Sequence, residues 1–160
     1  MSFFDAAVQI ADRVSRPRVA QAHCDVPCGI YDPAPMKIAA NTVLTLTQKL
    51  LALEPPAPGD KQATLAFGNT AARMIMVKEQ HAEICKRELL ILWTDWFKPP
   101  HVEQFPELHT LVWNTAKLGS KCKQEVNLEA AEQLFQNVNK VADIFSKSGY
   151  TLPNAALMAG

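Results

Sequence analysis

Between Met36 and Phe145, apolar side chains recur at three- and four-residue intervals, broken only where proline and glycine forbid a helix to continue. Ile38, Val43, Leu46, Leu50 and Leu53 mark a first helix, and Pro33 and Pro35 suit its opening turn. The stretch EPPAPGD (54–60) ends it. A long second helix is predicted from Lys61 to Phe97 through Leu65, Phe67, Met74, Val77, Ile84, Leu89, Leu92, Trp93 and Trp96. KPPHVEQFP (98–106) reads as a rigid loop, with Pro106 in the first turn of a third helix carrying Leu108, Leu111, Val112 and Leu118. Asn127 is a suitable N-cap for a fourth, through Leu128, Ala131, Leu134, Phe135, Val138, Val141, Ile144 and Phe145, and Gly149 suits its stop. No stretch alternates with the period of a strand, and no internal repeat is present. These features predict an all-α, antiparallel (up-down-up-down) four-helix bundle over 36–150, with TLPNAALMAG (151–160) as a loosely held tail. The tryptophans and phenylalanines read as core or subunit contacts rather than a cofactor box.

Composition narrows the function classes. Sixteen basic and sixteen acidic residues cancel, so there is no basic field for nucleic acid or an anionic membrane. No apolar run approaches the roughly 18 residues that span a bilayer. Four cysteines in 160 residues are too few for a disulfide scaffold. Cys85 and Cys122 fall within helical pattern, where a cysteine is usually a small buried apolar residue.

The other two cysteines lie in RVAQAHCDVPCGIYDPAP (18–35), a turn-like segment with His23, Pro27 and Gly29. Ala20-Gln21-Ala22 resembles the end of a secretory signal, but Asp5 and Asp12 interrupt the apolar part and Arg13, Arg16 and Arg18 come late. Residues 1–22 are therefore expected to be a cytoplasmic pro-segment, cut between Ala22 and His23.

Such a cut gives His23 a free α-amine. The amine, the His23 imidazole, and the amide nitrogen and thiolate of Cys24 then lie within two residues. A metal held by the amine, the Cys24 amide nitrogen and the Cys24 sulfur closes two adjacent five-membered rings, which direct a plane. Cys28 can bring a second thiolate to the fourth corner, because Pro27 and Gly29 can fold the chain back. Tetragonal nitrogen and sulfur donors favour nickel(II) or copper(II) over tetrahedral zinc. Copper(II) is readily reduced beside thiolates, so nickel fits better, with the imidazole available axially. By spacing alone, the C-x-x-x-C pair is equally open to a reversible disulfide or half of a zinc site; Pro27 and Gly29 argue against two neighbours one helical turn apart.

HCDVPCGIYDPA (23–34) resembles the metal-binding hook of the nickel superoxide dismutases. LWTDWFKPPHVEQFPELHTL (92–111) and VKEQHAE (77–83) resemble the middle of that family. The resemblance covers most of 23–120 and is weaker in the fourth helix.

The resemblance implies a right-handed four-helix bundle with an N-terminal hook (23–35), assembled as a homohexamer with one nickel per subunit, and a leader peptidase; the leader's charge pattern places the protein in the cytoplasm. It implies ping-pong disproportionation of superoxide to oxygen and hydrogen peroxide by Ni(III)/Ni(II) cycling. In this numbering His23, Cys24 and Cys28 hold the metal, Asp25 and Pro27 shape the hook, the Pro27 peptide being cis in the family, and Tyr31 orders small anions or water at the open face. This chain has Ala39 and His81 where known members place a Glu and an Arg around the axial imidazole. His81 is therefore expected to contact the His23 imidazole, directly or through water. The alternatives are a nickel or copper carrier and a helical thiol switch, neither with turnover.

Overall fold

A computed structural model of the chain describes residues 29–153. Pro33 precedes α1 (Ala34–Leu51), a second proline sits in its first turn, and the Asp32 carboxylate accepts the Ala34 amide at 2.8 Å. These groups occupy a helix end whose first amides have no partner within the helix. The proline-rich stretch after Leu51 carries no helix. Asp60 then caps α2 (Lys61–Ile91), accepting the Ala63 amide at 2.9 Å. Asn127 does the same for α5 (Leu128–Lys147) through the Ala130 amide at 2.9 Å. Gly149, at φ +81°, takes the left-handed conformation that ends α5.

Two features differ from the expectation. The segment 98–106 is not all loop: Pro99–Gln104 forms a short helix, α3, with proline in its first turn and the Lys98 amide donating to His101 Nδ1 at 3.1 Å. The third long helix, α4 (Leu108–Gln124), therefore begins two residues after Pro106. In addition, α2 runs on through one wide π turn, Leu92–Trp96, closed by the Phe97 amide on the Leu92 carbonyl at 3.0 Å.

The four long helices close a ring in chain order: α1 packs on α2, α2 on α4, α4 on α5 and α5 on α1. The pairs between α2 and α4 run in opposite directions. Lys78 meets the carbonyls of Cys122 and Glu125, Lys86 meets Ser120, and the Trp93 ring meets that of His109. The described residues hold no strand, and the architecture is the expected up-down-up-down bundle.

The core stripe is clearest on α5, where Ala131, Leu134, Val138, Val141 and Phe145 are buried at alternating steps of three and four. Elsewhere helical spacing identified the helix but not always the buried face. Ile38 is 65% exposed, because α1 buries Met36, Ala39, Ala40, Val43 and Thr47 instead. Leu65 and Ile84 of α2 are also exposed. The fully buried residues of α2 are Lys78, Ala82, Cys85 and Leu89, so the first half of this long helix is at most half-buried, at residues such as Phe67 and Met74.

Lys78 is the unusual member of that set, with its side chain 1% exposed. Its ammonium donates to the Cys122 carbonyl and, at 2.9 Å, to the Glu125 carbonyl, satisfying acceptors where α4 ends. Burial pushes its pKa down. Lys78→Met is expected to cost about 2 kcal/mol, read by urea denaturation at neutral pH, because buried carbonyls lose a charged donor.

Cys85 and Cys122 are buried, as expected of helical cysteines. Burial lifts the Cys85 thiol from 9.0 to about 12 and that of Cys122 to about 11. Both hold their protons more tightly folded than unfolded. Their contribution to stability is thus complete below pH 9 and is lost as pH rises through 9 towards those values. Lys78, with its pKa lowered, acts in the opposite sense. Cys85→Ala is expected to flatten the alkaline fall in unfolding free energy by about 1 kcal/mol per pH unit, measured between pH 9 and 11.

Candidate metal centre

The expected metal donors His23, Cys24 and Cys28, the hook residues Asp25 and Pro27, and the Ala22–His23 junction lie outside the described residues. The structure does place the point where that segment joins the bundle. Gly29, next after Cys28, has φ +72°, a conformation that glycine adopts without the Cβ penalty. The Tyr31 amide donates to the Tyr150 phenol oxygen at 2.8 Å, and the Tyr150 hydroxyl donates to the Gly29 carbonyl at 3.2 Å. One phenol thus holds two backbone groups of the N-terminal junction from the far end of the chain.

Around this junction lies a cluster of rings. Tyr31 is half-buried, 5.8 Å from Trp96 and 6.2 Å from Tyr150 between ring centres. Trp96 meets Tyr150 edge-on at 5.0 Å and stacks on His101 at 5.6 Å, while its indole N–H donates to Ser148 Oγ at 2.8 Å. Phe145 closes the cluster from α5, 4.8 Å from Tyr150. The π turn carries Trp96 into this position; such turns frequently accompany functional sites. Tyr31 also lines a hollow with Ile30, Asp32, Pro35, Glu88, Ile91 and Leu92. The tryptophan and phenylalanine expected to serve as packing residues do so here, whereas Trp113 is 58% exposed.

His81 sits half-buried on α2, with Nδ1 against the Val77 carbonyl at 2.9 Å. A neutral ring donating from Nδ1 has Nε2 as its acceptor. Ala39 is 1% exposed within the core, where its methyl fills space that a carboxylate would enter only at a desolvation cost. Among the described residues, no group of three or more His, Cys, Asp or Glu side chains is placed to hold a metal.

Tyr150, the π turn and the junction cluster escaped the sequence reading. Gly149 signalled a helix stop, but nothing in SGY says that the next side chain returns to residue 29.

Residues 18–148 match the family model described as nickel-containing superoxide dismutase. The chain is similar to the "Superoxide dismutase [Ni]" of Streptomyces seoulensis, 37% identical over 134 residues, covering 83% of this chain and 93% of the relative. It is similar to that of Streptomyces coelicolor at 35% identity, with the same coverage. A crystal structure of a Ni-containing superoxide dismutase with nickel ligation corresponding to the oxidised state superposes with a TM-score of 0.66 at 36% identity, covering 81% of this chain and all of the other.

A Cβ built on Gly29 meets Pro153 at 3.5 Å, an ordinary contact, so substitution there is strained by the backbone and not by crowding. Gly29→Ala is expected to lower unfolding free energy by about 1 kcal/mol and Gly29→Asn by less, compared by urea denaturation.

Proposed function

Because the chain belongs to the nickel-containing superoxide dismutase family, we propose that it disproportionates superoxide at one nickel ion per subunit, held by residues 23–28 of a processed chain. The observation that carries this reading is a family match that begins at residue 18 and so includes the His-Cys-x-x-x-Cys stretch. The donor chemistry fits nickel: two soft thiolates, an amide nitrogen and an amine suit a tetragonal site, with an imidazole in reserve. His23 would supply the amine and the imidazole, Cys24 its amide nitrogen and thiolate, and Cys28 the second thiolate. A nickel ion bound by these anionic donors supplies a one-electron couple within reach of superoxide.

In the net reaction one superoxide is oxidised to dioxygen, and the electron it loses reduces a second superoxide, which takes up two protons to become hydrogen peroxide. The chain's own residues bind, position and supply protons. Asp25 and Pro27 shape the donor segment, and Tyr31 orders small anions or water beside it. Its half-buried ring, braced by Trp96, supports that role. His81 takes up contact with the His23 imidazole through Nε2, the nitrogen that its Val77 bond leaves as acceptor.

Residues 1–22 act as a leader removed by a peptidase, in keeping with a family match that excludes the first seventeen residues. The working assembly is a homohexamer; Ile75, Met76 and Ile84, exposed along α2, are apolar side chains that subunit contacts would cover. No helix among the described residues is long and apolar enough to cross a membrane. The cytoplasm is the proposed location, because Asp5 and Asp12 interrupt any secretory pattern.

Protein beginning at His23 is compared with protein retaining one extra residue before it. The processed form is expected to hold one nickel per chain, give a Ni(III) resonance split by nitrogen, and turn over superoxide; the extended form should fall to background. Stoichiometric nickel without turnover would make the protein a carrier, and no nickel with a reversible Cys24–Cys28 disulfide would make it a thiol switch. His81→Ala is expected to reduce metal affinity or turnover by about tenfold; unchanged nickel spectra and turnover would remove His81 from the site.

A further inference from the structure

Gly29 and Tyr31 are the first described anchor points after Cys28, and both main-chain groups used are tied to the same atom. The Tyr150 hydroxyl oxygen accepts the Tyr31 amide at 2.8 Å and donates to the Gly29 carbonyl at 3.2 Å. A phenol can do both at once, having one O–H and two lone pairs. The ring that carries this oxygen is itself immobilised. It lies 5.0 Å edge-on to Trp96, 4.8 Å from Phe145 and 6.2 Å from Tyr31. Behind it, Gly149 at φ +81° turns the chain out of α5, and Pro153 reaches within ordinary contact distance of a Cβ placed on Gly29.

We propose that Tyr150 is a positioning residue for the nickel centre: its hydroxyl fixes the backbone from which the donor-bearing segment departs. This rests on the assignment of the metal donors to residues 23–28. A ligand attached to a fixed backbone loses less freedom on binding a metal than one on a loose terminus, so the metal is held longer. The ring packs on Trp96, Phe145 and Tyr31 with or without its hydroxyl, whereas the two backbone hydrogen bonds at the junction depend on the hydroxyl. That separation makes the role testable, because Tyr150→Phe keeps the ring and removes both hydrogen bonds.

The test uses the full chain without metal and the nickel-loaded holoenzyme, parent and Tyr150→Phe in parallel. In the metal-free chain, hydrogen exchange at the Tyr31 amide is expected to accelerate about tenfold, while the amides of Val138 and Val141 in α5 keep their rates. In the holoenzyme, nickel release to a chelator is expected to quicken about tenfold, and the nitrogen splitting of the Ni(III) resonance to change. Unchanged exchange at Tyr31 overturns the clamp, as does equal acceleration at Val138 and Val141, which would reveal only lost global stability. Faster exchange at Tyr31 with unaltered nickel release and resonance overturns the positioning role. A parent protein that retains no nickel after processing overturns the proposed function and this role with it, a failure distinguishable because the exchange measurement needs no metal.

Discussion

Lys78 carries a charge into the interior of the bundle and spends it on the carbonyls of Cys122 and Glu125, where α4 runs out of its own hydrogen-bond donors. Desolvation opposes this and pushes the lysine pKa down; the backbone acceptors and the end of the α4 dipole offset it. A buried ammonium tolerates no sliding, since a shift of one turn along α2 would leave both the charge and the carbonyls unsatisfied. It therefore fixes the register between α2 and α4, and Lys86 against Ser120 and Trp93 against His109 follow from that alignment. Apolar packing alone would specify the register less sharply.

With α2 so placed, its distal end falls beside the start of α1 and the end of α5. Three distant parts of the chain meet there: Tyr31, Trp96 and Tyr150. None of the three rings carries charge, and their edges and faces give a stiff, half-buried platform. The proposed function needs a small anion, protons and a metal held by a chain terminus. A terminus is the least ordered place from which to coordinate a metal, and the ring platform is the means available to this fold for anchoring one.

The helices were legible in the sequence because their ends rely on local chemistry. Asp60 and Asn127 cap through their own side chains, Gly149 adopts a left-handed φ, and prolines occupy the opening of α1. The faces were less legible. Ala39 and Ala40 are buried on α1 while Ile38 is exposed, because close helix approach favours small residues over the most hydrophobic one. That the first half of α2 buries no residue fully could not be foreseen either, since it depends on how the partner helices are placed. At the candidate site, the donor-rich segment announced itself by residue type and spacing. Tyr150 did not, because its role lies in contacts to residues about 120 positions away.

The π turn at Leu92–Trp96 has a consequence for how this chain can vary. It accommodates one more residue than an α-helix would over the same rise, and Trp96 at its end faces Tyr31 and Tyr150. Deleting a single residue here would leave the segment helical and every hydrophobic residue compatible with burial. Because the wide turn takes up that one residue, closing it as an α-turn would return the indole to nearly the same side of the axis. The wide turn thus absorbs a change in chain length at this end of α2 without turning Trp96 away from Tyr31 and Tyr150.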